Sequence, residues 1–232
     1  MADTVRTVRL TAQDGHEFDG YRADAAGEPA GGVVIVQEIF GLTAHVRAVV
    51  ERYAAAGFTA IAPALFDRIE PGMVVDYAEI DRGRAAMRQL EWPNTLADVQ
   101  AALGALGQLP VGVVGFCWGG TVAHVAAIEL PIAAAVSYYG SAITQWLDKR
   151  PRCPVLYHFG DRDRSIPPAS IEQIQRANPT GLHHVYAGAE HGFDSEGRAS
   201  FSPAASALAF ERSIAFLREH LRPAAVAPFT PA

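Results

Sequence analysis

The chain is poor in cysteine, since only Cys117 and Cys153 occur among its 232 residues. Two cysteines do not make a disulfide scaffold, so we expect a reducing compartment, the cytoplasm, in which a free reactive thiol persists. Long hydrophobic runs are also missing, because no apolar stretch approaches the roughly 20 residues that a membrane-spanning helix needs. The first residues contain no apolar signal region. We therefore predict a cytoplasmic protein without a membrane partner.

Positive charge is scarce as well, since 19 lysine and arginine residues stand against 25 aspartates and glutamates and give a formal net charge of −6. No basic block appears, so we do not expect a nucleic-acid partner. Half of the residues are hydrophobic, which is enough for one well-filled core. We predict a single domain over residues 1–222, followed by a Pro/Ala-rich tail at 223–232 that lies outside the core.

Short apolar runs rich in valine and isoleucine alternate with alanine-rich amphipathic stretches along most of the chain. The runs that predict strands are 33–37, 58–62, 111–116, 133–139, 154–159 and 183–187. The stretches that predict helices are 43–56, 76–90, 94–107, 118–130, 167–177 and 203–221. Residues 4–24 predict a β-hairpin, and Thr43, Asn94 and Ser202 are the expected helix N-caps. The alternation predicts an α/β fold, a mainly parallel central sheet with helices on both faces and an N-terminal β-hairpin.

Cys117 lies where the predicted strand 111–116 meets the next predicted helix, between Gly115 and Gly119. A nucleophile on so tight a turn has a strained backbone, and bulky residues two positions away on either side would collide, which glycine avoids. The free N–H groups and positive end of the following helix favour a thiolate and an incoming oxyanion. The pattern predicts a nucleophile elbow with cysteine in the usual place of serine.

Two further candidates follow predicted strands, in the order nucleophile, acid, histidine. Asp163 follows the strand 154–159, and His191 follows the strand 183–187. In these positions His191 would remove the proton from the Cys117 thiol, while the carboxylate would orient the imidazole and stabilise its charged form. Asp161 competes with Asp163 for this role, because position alone does not separate them.

The loop after the first parallel strand carries two more candidates. The backbone N–H of Ile39, together with that of Trp118 after the nucleophile, is placed for an oxyanion hole. Glu38 ends a buried strand, where an unpaired charge is costly, so we expect an arginine or the catalytic thiol as its partner. A helix-capping role for Glu38 is the open alternative.

Taken together, these residues resemble the dienelactone hydrolase family of α/β-hydrolases, over roughly residues 5–222. The stretches that carry the resemblance are Gln37-Glu38-Ile39-Phe40-Gly41, Gly115-Phe116-Cys117-Trp118-Gly119-Gly120, Glu190-His191-Gly192-Phe193 and, in addition, Gly160-Asp161-Arg162-Asp163. The resemblance implies a monomeric, cytosolic hydrolase that opens a lactone or carboxylic ester, with Cys117, Asp163 and His191 as its triad. It selects Asp163 over Asp161, and it implies that Glu38 lies beside the thiol and helps to convert it to thiolate when an anionic substrate arrives. No metal ion or organic cofactor is implied.

In the dienelactone enzymes two arginines hold the carboxylate of the substrate. Arg82 is the nearest candidate for the first of them, and Arg84 follows it closely in the chain. The position of the second, four residues after the histidine, holds Ser195, which leaves Arg198 as a substitute that a loop shift would bring into the site. We add Phe40 and Phe193 from the matching stretches, and Ser195 itself, as substrate-binding residues. Both an anionic and a neutral lactone or ester stay open as the substrate.

Three other functions compete with this interpretation. A general thioesterase or acyl hydrolase would use the same fold and triad on another substrate class. A non-catalytic member that binds a small molecule is disfavoured, because every triad position holds a competent group. A phosphate-binding or nucleotide-binding module is disfavoured, because the Lys-Ser/Thr pair of a phosphate loop is missing after the glycines.

Overall fold

The computed structural model describes residues 5–221, so the expected tail at 223–232 lies outside the described residues. The strands within this range are β1 (Val5–Thr11), β2 (Glu17–Ala23), β3 (Gly32–Val36), β4 (Thr59–Pro63), β5 (Val111–Phe116), β6 (Ala134–Tyr138), β7 (Val155–Gly160) and β8 (Leu182–Tyr186). They form one sheet in the order β1-β2-β4-β3-β5-β6-β7-β8. All pairings from β4 to β8 are parallel, whereas β1 pairs with β2, and β2 with β4, in antiparallel fashion. The predicted parallel sheet with an N-terminal hairpin is confirmed.

Helices connect the strands in the predicted alternation. They are α1 (Ala44–Ala55), α2 (Ile80–Met87), α3 (Trp92–Gly104), α4 (Trp118–Glu129), α5 (Pro168–Ala177) and α6 (Pro203–His220), with short 3₁₀ helices at Leu65–Arg68 and Ile143–Trp146. None of the helices between residues 5 and 221 combines the length and the apolar character needed to cross a bilayer. The largest difference from expectation is α2, which is much shorter than the predicted stretch 76–90.

The helix starts agree with expectation in two of three cases. The Thr43 side chain caps α1 by accepting the backbone N–H of Val46 at 3.3 Å. Ser202 is at the cap position of α6, but its side chain makes no capping hydrogen bond. The prediction for Asn94 is wrong, because α3 already begins at Trp92. Pro93 explains the earlier start, since proline lacks the N–H that the first turn of a helix leaves unpaired anyway.

The two faces of the sheet are covered by different helices. A Cβ placed on Gly32 of β3 would meet Leu106, which follows α3. Gly112 of β5 is aligned with the next residue of β3 and therefore points to the opposite face, where a Cβ would meet Leu217 of α6. Helices on both faces bury β3 completely and β5 except at Val111, which is why these strands are continuous apolar runs in the sequence.

The carboxyl ends of the parallel strands carry the candidate catalytic side chains. Glu38 follows β3, Cys117 follows β5, Asp163 follows β7 and His191 follows β8. Because parallel strands end at one edge of the sheet, side chains that are distant in sequence come together there. The topology thus assembles one site from four separate loops.

Cys117 adopts the strained turn that the sequence predicted, with φ 55° and ψ −118°. A Cβ on Gly115 would lie 1.8 Å from the carbonyl oxygen of Gly119, and a Cβ on Gly119 would lie 2.4 Å from that of Gln37. Backbone atoms cannot move away as a flexible side chain would, so both positions require glycine. The two glycines let β3, β5 and the start of α4 approach closely enough to hold Cys117 in this conformation.

We predict that Gly119→Ala lowers the free energy of unfolding by more than about 3 kcal/mol, because the added methyl group overlaps backbone oxygens. Gly104→Ala is the matched control, since a Cβ on this helical glycine meets no atom within 4 Å and alanine favours the helix by up to about 1 kcal/mol. Urea unfolding of both variants checks this. Equal stability changes for the two variants would contradict the close-packed turn.

Candidate active site

Three side chains at the sheet edge form a hydrogen-bonded chain. His191 Nε2 lies 3.0 Å from Cys117 Sγ, and His191 Nδ1 lies 2.7 Å from Asp163 Oδ2. The second carboxylate oxygen, Asp163 Oδ1, accepts the backbone N–H of Ser165 at 2.7 Å. The carboxylate is therefore fixed from both sides and presents one oxygen to the imidazole. The geometry matches that of a nucleophile, a base and an acid that orients the base.

The protonation of His191 is coupled to its two neighbours. Burial alone would lower the pKa of His191, but the Cys117 sulfur and the Asp163 carboxylate raise it to about 10. With the Asp163 carboxylate at Nδ1 and the Cys117 sulfur at Nε2, the imidazole of His191 is charged at neutral pH.

Tyr139 is a residue of the site that the sequence analysis missed. It follows β6, its φ is +40°, and its ring packs edge-on against the imidazole of His191 with 5.1 Å between the centroids. Its hydroxyl is buried and has no hydrogen-bond partner among residues 5–221. A non-glycine residue at positive φ is uncommon and marks a constrained position. Its place at the carboxyl end of a strand was the signal that could have identified it.

Glu38 is a buried charge with an arginine as its partner. Its side chain is only 1% exposed, and its Oε1 lies 3.2 Å from Arg198 Nη1. Burial raises the pKa of Glu38, whereas the charge of Arg198 lowers it. The other oxygen, Oε2, has no hydrogen-bond partner within the described chain. The predicted ion pair is present, and the capping alternative is not, because Thr43 caps the following helix.

The loop after β8 brings Arg198 to Glu38. Gly192 in this loop has φ +81°, and a Cβ there would lie 2.3 Å from Arg198 Nη1, so the missing side chain makes room for the guanidinium. The same guanidinium lies 5.7 Å from the centre of the Phe40 ring. The loop thus places Arg198 beside Glu38, and its role as a ligand of a substrate carboxylate stays a prediction.

A cavity of about 370 Å³ opens over Cys117, and we call it the inner cavity. Its lining includes six of the residues predicted to supply the oxyanion hole, the substrate contacts or the base, namely Ile39, Phe40, Arg84, Trp118, His191 and Arg198. Ile80 and Met87 of α2 add an apolar wall that the sequence analysis did not anticipate. This volume falls within the range of small-molecule sites.

Three of the predicted substrate-binding residues do not line the inner cavity, and we correct them here. Phe193 is fully buried and packs against Tyr139 with 5.2 Å between the ring centroids. Ser195 is also fully buried, and its hydroxyl lies 3.0 Å from that of Tyr77. Arg82 is half exposed and pairs with Glu79 one turn away in sequence. Packing thus takes Phe193 and Ser195 into the protein, and Arg82 faces solvent.

A second buried carboxylate anchors the loop that carries Arg198. The side chain of Asp194 accepts a hydrogen bond from Ser206 of α6 and lies 3.6 Å from Arg52 of α1. Burial raises the pKa of Asp194 to about 6, against the opposing charge of Arg52. His45 is also close, at 3.7 Å, but burial lowers its pKa to about 4, so Arg52 is the cation at neutral pH. These contacts tie the loop to two helices.

The potential for metal binding is limited in this part of the chain. Between residues 5 and 221 no group of three or more histidine, cysteine, aspartate or glutamate side chains is arranged to hold a metal ion. The carboxylates and histidine of the site are instead engaged with one another, with the thiol or with Arg198.

The chain is similar to known proteins both in sequence and in fold. The profile of the Dienelactone hydrolase family matches residues 18–221. A carboxymethylenebutenolidase from Pseudomonas putida is 33% identical over 224 residues, which are 90% of this chain and 94% of the relative. A Klebsiella pneumoniae protein, provisionally named a dienelactone hydrolase, has a crystal structure that superposes with a TM-score of 0.79 at 27% identity, and the match covers 91% of this chain and 97% of that one. The sheet and helices described above form the α/β-hydrolase fold.

We predict that Arg198→Met lowers the free energy of unfolding by about 3 kcal/mol at pH 8, because it leaves the Glu38 carboxylate buried and unpaired. Adding Glu38→Gln to that variant should restore most of the loss. Since burial already raises the pKa of Glu38, and loss of Arg198 raises it further, the cost should shrink as the pH falls and Glu38 takes up a proton.

Denaturant unfolding of both single variants and the double variant, at pH 8 and pH 5, measures this coupling. If the stability loss of the double variant equals the sum of the two single losses to within about 0.5 kcal/mol, the two side chains act independently and the ion pair is contradicted.

Proposed function

The chain belongs to the dienelactone hydrolase family, and on that premise we propose that it hydrolyses a small lactone or carboxylic ester through an acyl-enzyme on Cys117. The observation that carries the proposal is the 3.0 Å contact between Cys117 Sγ and His191 Nε2. A thiol in a strained turn, beside a charged imidazole and at the start of a helix, is set up as a nucleophile. The inner cavity gives the carbonyl of a substrate access to it.

The first half of the reaction acylates the thiol. The Cys117 thiolate attacks the carbonyl carbon, and the negative charge that develops on the oxygen is stabilised by the backbone N–H groups of Ile39 and Trp118. When the tetrahedral intermediate collapses, the carbon–oxygen bond of the ester breaks. The departing alkoxide takes the proton from the His191 imidazolium. In a lactone the alcohol stays attached to the acyl group, so this step opens the ring.

The second half releases the acid. His191, now neutral, takes a proton from a water molecule, and the resulting hydroxide attacks the thioester carbon. The carbon–sulfur bond breaks, Cys117 leaves as thiolate, and the proton stays on His191, which restores the starting pair. Asp163 stabilises the imidazolium in both halves through its 2.7 Å hydrogen bond to Nδ1.

Glu38 and Arg198 connect this chemistry to the charge of the substrate. An anion that attracts Arg198 weakens its ion pair with Glu38 and leaves a buried carboxylate that gains by accepting a proton. Glu38 would then accept the thiol proton and pass it to His191, which donates it when the alkoxide departs, in line with the role that the family resemblance implies for Glu38. We therefore include Glu38 in the proposal as the group that helps to form the thiolate.

The substrate and the cellular setting belong to the same proposal. The inner cavity suits a small molecule, and its apolar wall of Ile80 and Met87 suits an acyl group with little charge. A nucleophilic thiol persists in a reducing compartment, and both Cys117 and Cys153 are free. We place the reaction in the cytoplasm for that reason.

We expect Cys117→Ala to lower kcat/KM for an activated aryl ester such as 4-nitrophenyl acetate by at least about 1,000-fold, since it removes the nucleophile. Cys153→Ala is the matched control and should keep kcat/KM within about twofold, because Cys153 lies outside the inner cavity. Steady-state kinetics on the unsubstituted protein and the two variants measures these changes in kcat/KM. Retention of more than a tenth of the activity in Cys117→Ala would sink the proposed mechanism.

Alkylation with iodoacetamide at pH 7 should modify Cys117 at least about 100-fold faster than Cys153. Burial raises the pKa of Cys153 to about 11, whereas His191 lies in contact with the Cys117 sulfur. His191→Ala should slow the labelling of Cys117 without changing that of Cys153. Peptide mapping by mass spectrometry reads out both rates, and an unchanged Cys117 rate in His191→Ala would argue against the thiolate–imidazolium pair.

A further inference from the structure

A second cavity, of about 530 Å³, adjoins the inner cavity, and we call it the outer cavity. The two share four lining residues, namely Ile80, Ser165, His191 and Arg198. Cys117 and the candidate oxyanion residues Ile39 and Trp118 line the inner cavity and not the outer one. The outer cavity therefore lies on the His191 side of the reacting sulfur. A substrate that fills both cavities must extend past the imidazole.

The lining of the outer cavity is cationic. Arg162 and Arg164 flank Asp163 in the chain, both are exposed, and both line this cavity. Within residues 5–221 neither guanidinium takes part in an ion pair or a hydrogen bond. Arg198, by contrast, is engaged by Glu38. Two guanidinium groups that have no partner within the described part of the chain are thus concentrated at the site of a protein whose formal net charge is −6.

The other polar groups of this lining leave room for an anion. Glu190 is the one carboxylate among the lining residues, so it offsets only one of the two positive charges of Arg162 and Arg164. Ser200 lines the same cavity, and its hydroxyl is buried without a hydrogen-bond partner in the described chain. A buried hydroxyl without a partner is costly, and the Ser200 hydroxyl adds a polar group to the lining without adding negative charge.

The position of the proton donor, His191, determines which part of a substrate lies in the outer cavity. In the proposed mechanism His191 donates its proton to the departing alkoxide oxygen, so the alcohol part of an ester must lie against the imidazole. The acyl part lies in the inner cavity, where the oxyanion donors are. The alcohol part then extends from His191 into the space lined by Arg162 and Arg164.

We propose that the outer cavity is the subsite for the alcohol part of the substrate, and that Arg162 and Arg164 bind a carboxylate on that part. Guanidinium groups suit this role because they match the planar carboxylate in shape and charge. The two arginines differ from Arg82, Arg84 and Arg198, which the family resemblance suggested as carboxylate ligands. The combined cavities favour an open-chain ester with an anionic alcohol part. The inference rests on the proposed function.

Two aryl esters with the same acetyl group test the subsite. In 4-acetoxybenzoate the leaving phenol carries a carboxylate, and in methyl 4-acetoxybenzoate that charge is masked. We expect the ratio of their kcat/KM values to fall at least about 10-fold in Arg162→Ala/Arg164→Ala, mainly through KM of the anionic ester, because charge-assisted hydrogen bonds are lost. Arg162→Lys/Arg164→Lys should keep part of the preference.

The control variant is Arg150→Ala/Arg176→Ala, which removes the same net charge from two residues outside both cavities. It should leave the ratio unchanged. A third substrate, the phenyl monoester of succinate, carries its carboxylate on the acyl part, and its kcat/KM relative to phenyl acetate should not respond to Arg162→Ala/Arg164→Ala.

The outcomes separate this inference from the proposed function. If Cys117→Ala still hydrolyses the masked ester, the proposed function itself fails. If hydrolysis needs Cys117 but the ratio stays the same in Arg162→Ala/Arg164→Ala, or falls equally in the control variant, the carboxylate subsite is overturned and the proposed hydrolase stands.

Discussion

The close backbone contact at the turn around Cys117 is the constraint on which the rest of the site depends. Cys117 keeps its positive φ because Gly115 and Gly119 allow backbone to approach backbone at distances that no Cβ would permit. That contact joins the end of β5, the start of α4 and the loop after β3. The same contact that strains the cysteine therefore brings the thiol, the candidate oxyanion donors and Glu38 to one edge of the sheet.

Buried charge organises the other half of the site. The loop after β8 carries His191, Asp194 and Arg198, and each is held by a partner from another part of the chain. Glu38 holds Arg198, Arg52 lies beside Asp194, and Asp163 holds His191. Because an unpaired buried charge is costly, the loop has few alternative conformations that keep all three pairs. We infer that the ion pairs specify the position of His191 as much as they stabilise the fold.

Much of the fold could be predicted because the relevant signals are local. Strands buried on both faces are continuous apolar runs, and the glycines at 115 and 119 on either side of Cys117 indicate the turn. The predictions that failed concern contacts between loops, which the spacing of residues along the chain does not report. Ser195 occupies the position of the second arginine of the dienelactone enzymes. The turn at Gly192 places Arg198 beside Glu38. Tyr139 and the apolar wall of α2 depend on how loops pack, and no periodic pattern reports that packing.

Direct observation of the acyl-enzyme tests the central claim most closely. After rapid mixing with 4-nitrophenyl acetate and quenching in acid, mass spectrometry of the digested protein should find one acetyl group on the peptide that contains Cys117. This adduct should form and decay at rates that account for turnover. Steady turnover with no acetyl group on Cys117, or with the acetyl group on another residue, would contradict the account.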